Sequence, residues 1–292
     1  MTIVICTTKK VGYFMNFNYI GLDDFLLAAL SEDIGTGDVT TNSCVPEEAV
    51  SEGVLIAKEP GIICGLGIIR RLFALMDANI EVSPCTHDGD SVKVSDIIAK
   101  ISGPSRSILT GERVALNLLQ HMSGIATRTS EAVNAICGTD TKIVDTRKMT
   151  PGMRALEKYA VTCGGGHNHR FNLSDGVLIK DNHIVAAGGI TSAITQAKLE
   201  CPHTLKIEVE TESIEQVKEA LAAGADIIML DNMSLELMAE AVKLIDGRAQ
   251  TEASGNMGDR DLSAVAKTGV DFISIGALTH SVKALDISLK FK

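Results

Sequence analysis

The chain has 292 residues, 45% of them hydrophobic but only 3% aromatic and none Trp, so its cores are aliphatic and it is long enough for one large domain or two smaller ones. A formal net charge of −10 and a pI near 5.2 exclude a general nucleic-acid or membrane-surface role, which needs a basic face. No apolar run approaches the roughly 20 residues that span a bilayer.

The opening MTIVICTTKKVGYFMNF carries its charges after its apolar residues, the reverse of a secretory signal. Residues 1–18 read as a loose extension, with Met15 as an alternative start. The seven cysteines are scattered and contain no C-x-x-C pair. This pattern predicts reduced thiols in a cytoplasmic protein and argues against metal binding through sulfur.

Residues 19–117 and 140–281 are patterned differently. The first region begins with a predicted helix at 22–31, followed by the turn-rich IGTGDVTTNS. Short apolar strands, GVLIAKEPGIICG and SVKVSDIIAKISGP, flank a helix over 66–76. HDGDSVKVSDIIAKISG alternates like half of a lipoyl or biotinyl carrier sandwich, but no lysine stands in a tight two-residue turn. A small α/β sandwich fits better. A helix then runs through ERVALNLLQHMSGIATRTSEAVNAI, with Gly124 as its expected interruption.

From 140 onward, short β-branched runs at 142–145, 176–180, 205–210, 226–231, 249–254 and 271–276 alternate with helical stretches. The stretch 151–163 has Thr150 as expected N-cap and Pro151 at its first position. Repeated β-then-α units predict a parallel sheet covered by helices. Six units with nearly all-apolar strands suit a barrel of TIM type with fewer than eight regular units. An open doubly wound sheet is the alternative, and no Gly-rich fingerprint after the first strand supports it.

In such barrels the chemistry lies at the C-terminal ends of the strands. Those ends read Asp145-Thr-Arg147-Lys148, Lys180-Asp-Asn-His183, Glu208-Val-Glu210, Asp231-Asn232, Glu252-Ala-Ser254-Gly255 and Gly276-Ala-Leu-Thr-His280. One charged residue after a strand is ordinarily a solvated loop residue; six at equivalent places point to a site. Arg147, Lys148, His169, Arg170 and Lys180 gather cations suited to a compact polyanion, with arginine forks matching carboxylates. Glu208, Glu210 and Asp231 are candidates to hold a ribose diol or share Mg²⁺. ASGNM and IGALTHS follow the last two strands, where barrels commonly bind phosphate, although Ser, Gly and Asn also favour plain turns. Gly164, Gly165 and Gly166 fit either close approach to a ligand or positive φ, or else a flexible linker after a helix. Lys180 as a Schiff-base nucleophile in a barrel aldolase or lyase is a second chemistry open to these residues.

The set DTRKMTPGMRALEKYAV, GGGHNHRFNLSDGVLIKDNH, IEVE, IMLDNM, EASGN and VDFISIGALTHS, with EDIGTGDVTT and GERVALNLLQHMSGIAT upstream, resembles the quinolinate phosphoribosyltransferase family. The resemblance covers about residues 20–290 and leaves 1–18 outside. It implies an N-terminal α/β sandwich domain (19–117, joined by the tail 282–292) and an incomplete TIM-like α/β barrel (118–281). The implied reaction converts quinolinate and 5-phosphoribosyl 1-diphosphate to nicotinate mononucleotide, diphosphate and CO₂ in de novo NAD synthesis. Mg²⁺ is implied as cofactor, held mainly through substrate, with Glu210 and Asp231 as candidate ligands. Arg147, His169, Arg170 and Lys180 are implied around the quinolinate carboxylates, joined by Arg113 of the partner subunit in a homodimer. Lys148, Glu210, Asp231, Ser254, Gly255, Asn256, Gly276, Ala277 and His280 are implied to handle the phosphoribosyl donor. Lys148, Lys180, Glu210 and Asp231 are the implied catalytic groups. A relative acting on another pyridine acid, or a non-catalytic binding protein of this fold, would share much of this pattern.

Overall fold

A computed structural model describes residues 20–292, so the extension over 1–18 and the alternative start at Met15 lie outside the described residues. The first elements in chain order are α1 (Leu22–Ile34), α2 (Val39–Cys44), β1 (Val50–Ala57), β2 (Gly61–Ile62), α3 (Leu66–Met76), β3 (Glu81–Pro84), β4 (Ser91–Val92) and β5 (Ile97–Pro104). There follow α4 (Ser105–Ala135), β6 (Lys142–Val144), α5 (Arg154–Cys163), β7 (Val177–Ile179), α6 (Asp181–Ala187), α7 (Ile190–Glu200), β8 (Ile207–Thr211) and α8 (Ile214–Ala223). The last are β9 (Ile227–Asp231), α9 (Leu235–Ile245), β10 (Gln250–Ser254), α10 (Leu262–Ala266), β11 (Phe272–Ser274), α11 (Ala277–His280) and β12 (Ile287–Phe291).

One unit holds the described residues up to Ser130 with Pro151–Gly165 and Val282–Lys292. Its antiparallel sheet has the order β12-β1-β5-β3, and β2 pairs with β4. The C-terminal strand seats Leu289 opposite Leu55 and Ile287 opposite Ala57. Leu26, Leu72, Phe73, Ile98, Leu119 and Met122 form the core with Ile287, aliphatic apart from Phe73.

Three local expectations change in this unit. The stretch IGTGDVTTNS is not all turn: Gly35 and Gly37 make the turn at positive φ, and Asp38 then caps α2, accepting from Thr41 N at 2.9 Å. Gly124 does not interrupt α4. A Cβ there would strike the Lys283 carbonyl oxygen, so the glycine admits the C-terminal segment, whose Leu285 N–H donates to Gln120 O. Helix α5 starts at Arg154 rather than Pro151, because Gly152 at φ 83° keeps 150–152 in a turn and Thr150 out of the cap. It contributes Leu156, Ala160 and Val161 to this core instead of joining the barrel's helices.

The second unit comprises Glu131–Thr150 and Gly166–Ser281. Its six strands are all parallel in the order β6-β11-β10-β9-β8-β7. The first strand lies beside the last, as in a ring, with no order reversal of a doubly wound sheet. Among the described residues β6 and β7 share no ladder; an isolated parallel bridge joins Val144 to His167 instead. This break makes the barrel incomplete. Helices α7, α8 and α9 cover the outside through Ile194, Val217, Ala220, Met238, Ala241 and Ile245. Ser213, Ser234 and Asp261 cap α8, α9 and α10.

The strands are not apolar on both sides. Ile207, Val209, Ile228, Leu230, Ala253 and Ile273 join the core beneath the helices. Side chains alternate along a strand. The opposite side therefore carries Glu208 and Glu210 on β8, Asp231 on β9, Glu252 and Ser254 on β10 and Ser274 on β11. A barrel interior this polar is built for a purpose other than packing.

Candidate active site

The strand ends assemble two groups of the predicted residues within the barrel unit. On the cationic side, Arg147 follows β6, and Arg170 precedes β7 and donates from Nη1 to Gly176 O at 2.9 Å. Burial first, then the charge of Arg147, lowers the Arg170 pKa, while Glu208 opposes the shift. Arg147 Nε is buried and has no hydrogen-bond partner among the described residues. Two crowded guanidinium groups with an unanswered donor make a receptor for an anion.

Lys180 and Glu210 meet at 3.5 Å, with the lysine side chain 46% exposed. Such a wet, ion-paired amine lacks the apolar surround that activates a Schiff-base lysine, which counts against the aldolase chemistry. Burial raises the Glu210 pKa, Lys180 opposes it, and Asp231 raises it further. Two carboxylates that repel one another at neighbouring strand ends suit Mg²⁺, whose preferred ligands are oxygens.

Around the last two strands, the backbone is shaped for close approach. Asn232, at φ 53°, donates its N–H to Ser254 O at 3.1 Å and its side chain to Asp231 Oδ2 at 2.6 Å. Gly255 has φ 90°, and a Cβ there would run into Asn232. Gly276 leaves room for Lys148 and His280, and Thr279 Oγ1 donates to Lys148 O at 2.8 Å. His280 is exposed and its Nδ1 lies 2.8 Å from Ser281 Oγ. Asn256 also takes positive φ before a short 3-10 turn, and Ala277 opens α11. Asn232, which supports both Asp231 and Gly255, was not singled out from the sequence; its place directly after a strand-end aspartate was the available signal.

Glu208 is 4% exposed, and its Oε2 lies 3.1 Å from His169 Nε2. Glu252, 3% exposed, places Oε2 at 3.6 Å from the same nitrogen. Burial, then the charge of Glu208, pushes the Glu252 carboxyl up to about 8, with His169 opposing. A cavity of about 480 Å³ reaches this cluster, lined by His169, Arg170, Glu208 and Glu252 and, at the strand starts, by Lys206 and Gln250.

Arg113 is exposed on α4 in the first unit and is not among the groups the barrel's own strands bring together. After α5, Gly165 takes the positive φ expected of this run, at 87°, and a Cβ on Gly164 would meet Ala126 O and Thr129, so that glycine permits close packing on α4. Cys44, Cys64, Cys85, Cys163 and Cys201 are free thiols. Cys64 and Cys163, far apart in sequence, nevertheless lie together beside Asp88. Both Asp88 oxygens there already accept protein donors, from Gly65, Leu66 and Tyr159.

The C-terminal domain of quinolinate phosphoribosyl transferase matches residues 125–290 and the N-terminal domain of the same family matches residues 38–123. A probable nicotinate-nucleotide pyrophosphorylase (carboxylating) of Bacillus subtilis is 48% identical over 272 residues, 93% of this chain and 94% of that one. The crystal structure of NadC from Streptococcus pyogenes superposes with a TM-score of 0.88 at 45% identity, covering 94% of this chain and 99% of that chain. The nicotinate-nucleotide pyrophosphorylase from Francisella tularensis gives 0.89 at 41% identity, covering 94% and 99%. With both domains matched and close identity along almost the whole chain, this protein belongs to the quinolinate phosphoribosyltransferase family.

Proposed function

We propose that this chain transfers the phosphoribosyl group of 5-phosphoribosyl 1-diphosphate to quinolinate with loss of CO₂, forming nicotinate mononucleotide and diphosphate for NAD synthesis. The observation that carries the reading is the Arg147–Arg170 pair, crowded, partly desolvated and left with a buried donor unanswered. Adjacent carboxylates on a planar ring answer it; a phosphate alone is served by the glycine-lined turns at Gly255 and Gly276.

Arg147, Arg170 and Lys180 hold the pyridine dicarboxylate, with Arg113 of the partner subunit closing the pocket in a homodimer. Lys148, Ser254, Gly255, Asn256, Gly276, Ala277 and His280 hold the phosphates, and Glu210 and Asp231 the ribose side. Glu210 and Asp231 would hold Mg²⁺, which would supply positive charge to offset that of the departing diphosphate. Orientation accounts for much of the rate: the pyridine nitrogen is held against C1 of the ribose. The N–C1 bond forms and the C1–O bond to diphosphate breaks. The ring nitrogen is then cationic, so the ring accepts the electron pair left when the 2-carboxylate departs as CO₂, and a proton takes its place. Arginines that grip that carboxylate oppose its loss, so they orient it and do not drive decarboxylation.

No described helix is long and apolar enough to cross a membrane, and the reduced cysteines fit a cytoplasmic enzyme. The test supplies quinolinate labelled with ¹³C in the 2-carboxylate, the phosphoribosyl donor and Mg²⁺. Labelled CO₂, diphosphate and nicotinate mononucleotide in equal amounts support the reading. Borohydride trapping of substrate on Lys180 without nucleotide formation would overturn it.

A further inference from the structure

Three side chains inside the barrel, His169, Glu208 and Glu252, bring a ligand atom each within 4.8 Å of one another. The two carboxyl groups are nearly fully buried, and each leaves Oε1 without a hydrogen-bond partner among the described residues. Carboxyl groups in that condition destabilise a fold unless they serve something.

His169 shows what they serve. Its Nδ1 accepts the backbone N–H of Arg170 at 2.7 Å. A ring nitrogen that accepts carries no proton, so in the neutral ring the proton sits on Nε2. That nitrogen faces Glu208 at 3.1 Å and Glu252 at 3.6 Å. The backbone of the same residue is clamped as well: His169 N donates to Asp145 Oδ1 at 2.9 Å, and Asn168 Nδ2 donates to Asp145 Oδ2 at 2.7 Å. Asp145 is fully buried. We propose that Glu208 and Glu252 are positioning residues: they lock His169 as the Nε2–H tautomer, and through its Nδ1 fix the backbone, and so the guanidinium, of Arg170. The inference deepens the quinolinate reading and rests on it only for its kinetic half.

Long-range ¹H–¹⁵N correlation of the histidine rings at pH 7, with His169 assigned through His169→Gln, tests the tautomer in free protein with no substrate present. A protonated Nε2 and a bare Nδ1 are expected; a protonated Nδ1, a doubly protonated ring or a metal retained on the trio would overturn the proposal. Glu208→Met removes the acceptor, and should abolish the single-tautomer pattern. It should raise the quinolinate KM by about tenfold, the worth of one charge-assisted hydrogen bond, and change the KM of the phosphoribosyl donor by less than about twofold. Glu208→Gln keeps an acceptor oxygen and Glu252→Gln mimics a neutral acid, so both should retain the tautomer. If Glu208→Gln loses it, or Glu208→Met shifts both KM values equally, the positioning role is wrong. An inactive wild type with the expected tautomer would instead fault the substrate assignment alone.

Discussion

Glu252 makes the stability of this protein depend on pH in a direction that can be calculated. Its carboxyl is pushed up to about 8, by burial first and then by the charge of Glu208. The folded state therefore keeps a proton that the unfolded chain releases near the ordinary 4.5. The stability this contributes is fully present below 4.5 and is lost as pH rises through about 8. At about 1.4 kcal/mol per pH, the loss reaches at most about 5 kcal/mol above pH 8, and about 2 kcal/mol of it is already incurred at pH 6. Glu252→Gln keeps the size and removes the titration. Relative to wild type, the variant should gain about 3 kcal/mol between pH 6 and pH 9, read as the difference between two pairs of urea unfolding curves. Titrating groups that do not interact with Glu252 cancel in that double difference. Parallel stability curves for the two proteins across this range would show that Glu252 holds no proton, and the description of the barrel floor would fail with it.

Quinolinate carries two adjacent carboxylates and nicotinate one, so Arg147→Ala or Arg170→Ala should weaken quinolinate binding far more than nicotinate binding. The loss per charge-assisted bond is about 1.5–3 kcal/mol by calorimetric titration, and equal affinity of wild type for both acids would mean the cations serve phosphate alone. Arg113→Ala and Lys148→Ala should each be nearly inactive, yet regain activity when mixed and reassociated, since some hybrid dimers contain one intact site; no recovery despite proven subunit exchange would remove Arg113 from the shared pocket. Gly124→Ala should cost about 1–3 kcal/mol by forcing the C-terminal segment off α4, and an unchanged urea midpoint would contradict that close approach.

The barrel was legible because the β/α alternation and the positions of its strands follow from periodicity alone. What alternation also held, and was passed over, is the polar inner side: Glu208 and Glu210 stand two apart and so share a face, which an apolar Ile207 and Val209 on the other face confirms. Helix α5 falls within the β/α alternation and so reads as a barrel helix; the partner it packs on is a tertiary fact that no local signal carries. The same holds for Gly124 and Gly164, whose reason is a neighbour distant in sequence. Arg147, His169 and Arg170 were found from their chemistry, but their supports Asp145, Glu208 and Glu252 look in sequence like any strand-end acids.

Those acids explain how an overall negative chain keeps a cationic mouth. Arg170 is depressed by burial and by Arg147, and Glu208 is the group that opposes the depression. A carboxylate beneath the guanidinium offsets part of the repulsion between the two arginines and lets both stay charged in a partly desolvated place. Too much negative charge there would satisfy the arginines outright and leave nothing for the ligand. Keeping Glu252 protonated at neutral pH limits the negative charge on the barrel's inner side. Above about pH 8 the second carboxyl ionises. The floor then competes with the incoming dicarboxylate, and quinolinate affinity should fall on the alkaline side in wild type. In Glu252→Gln it should not, and a matching alkaline fall in that variant would assign the effect to another group.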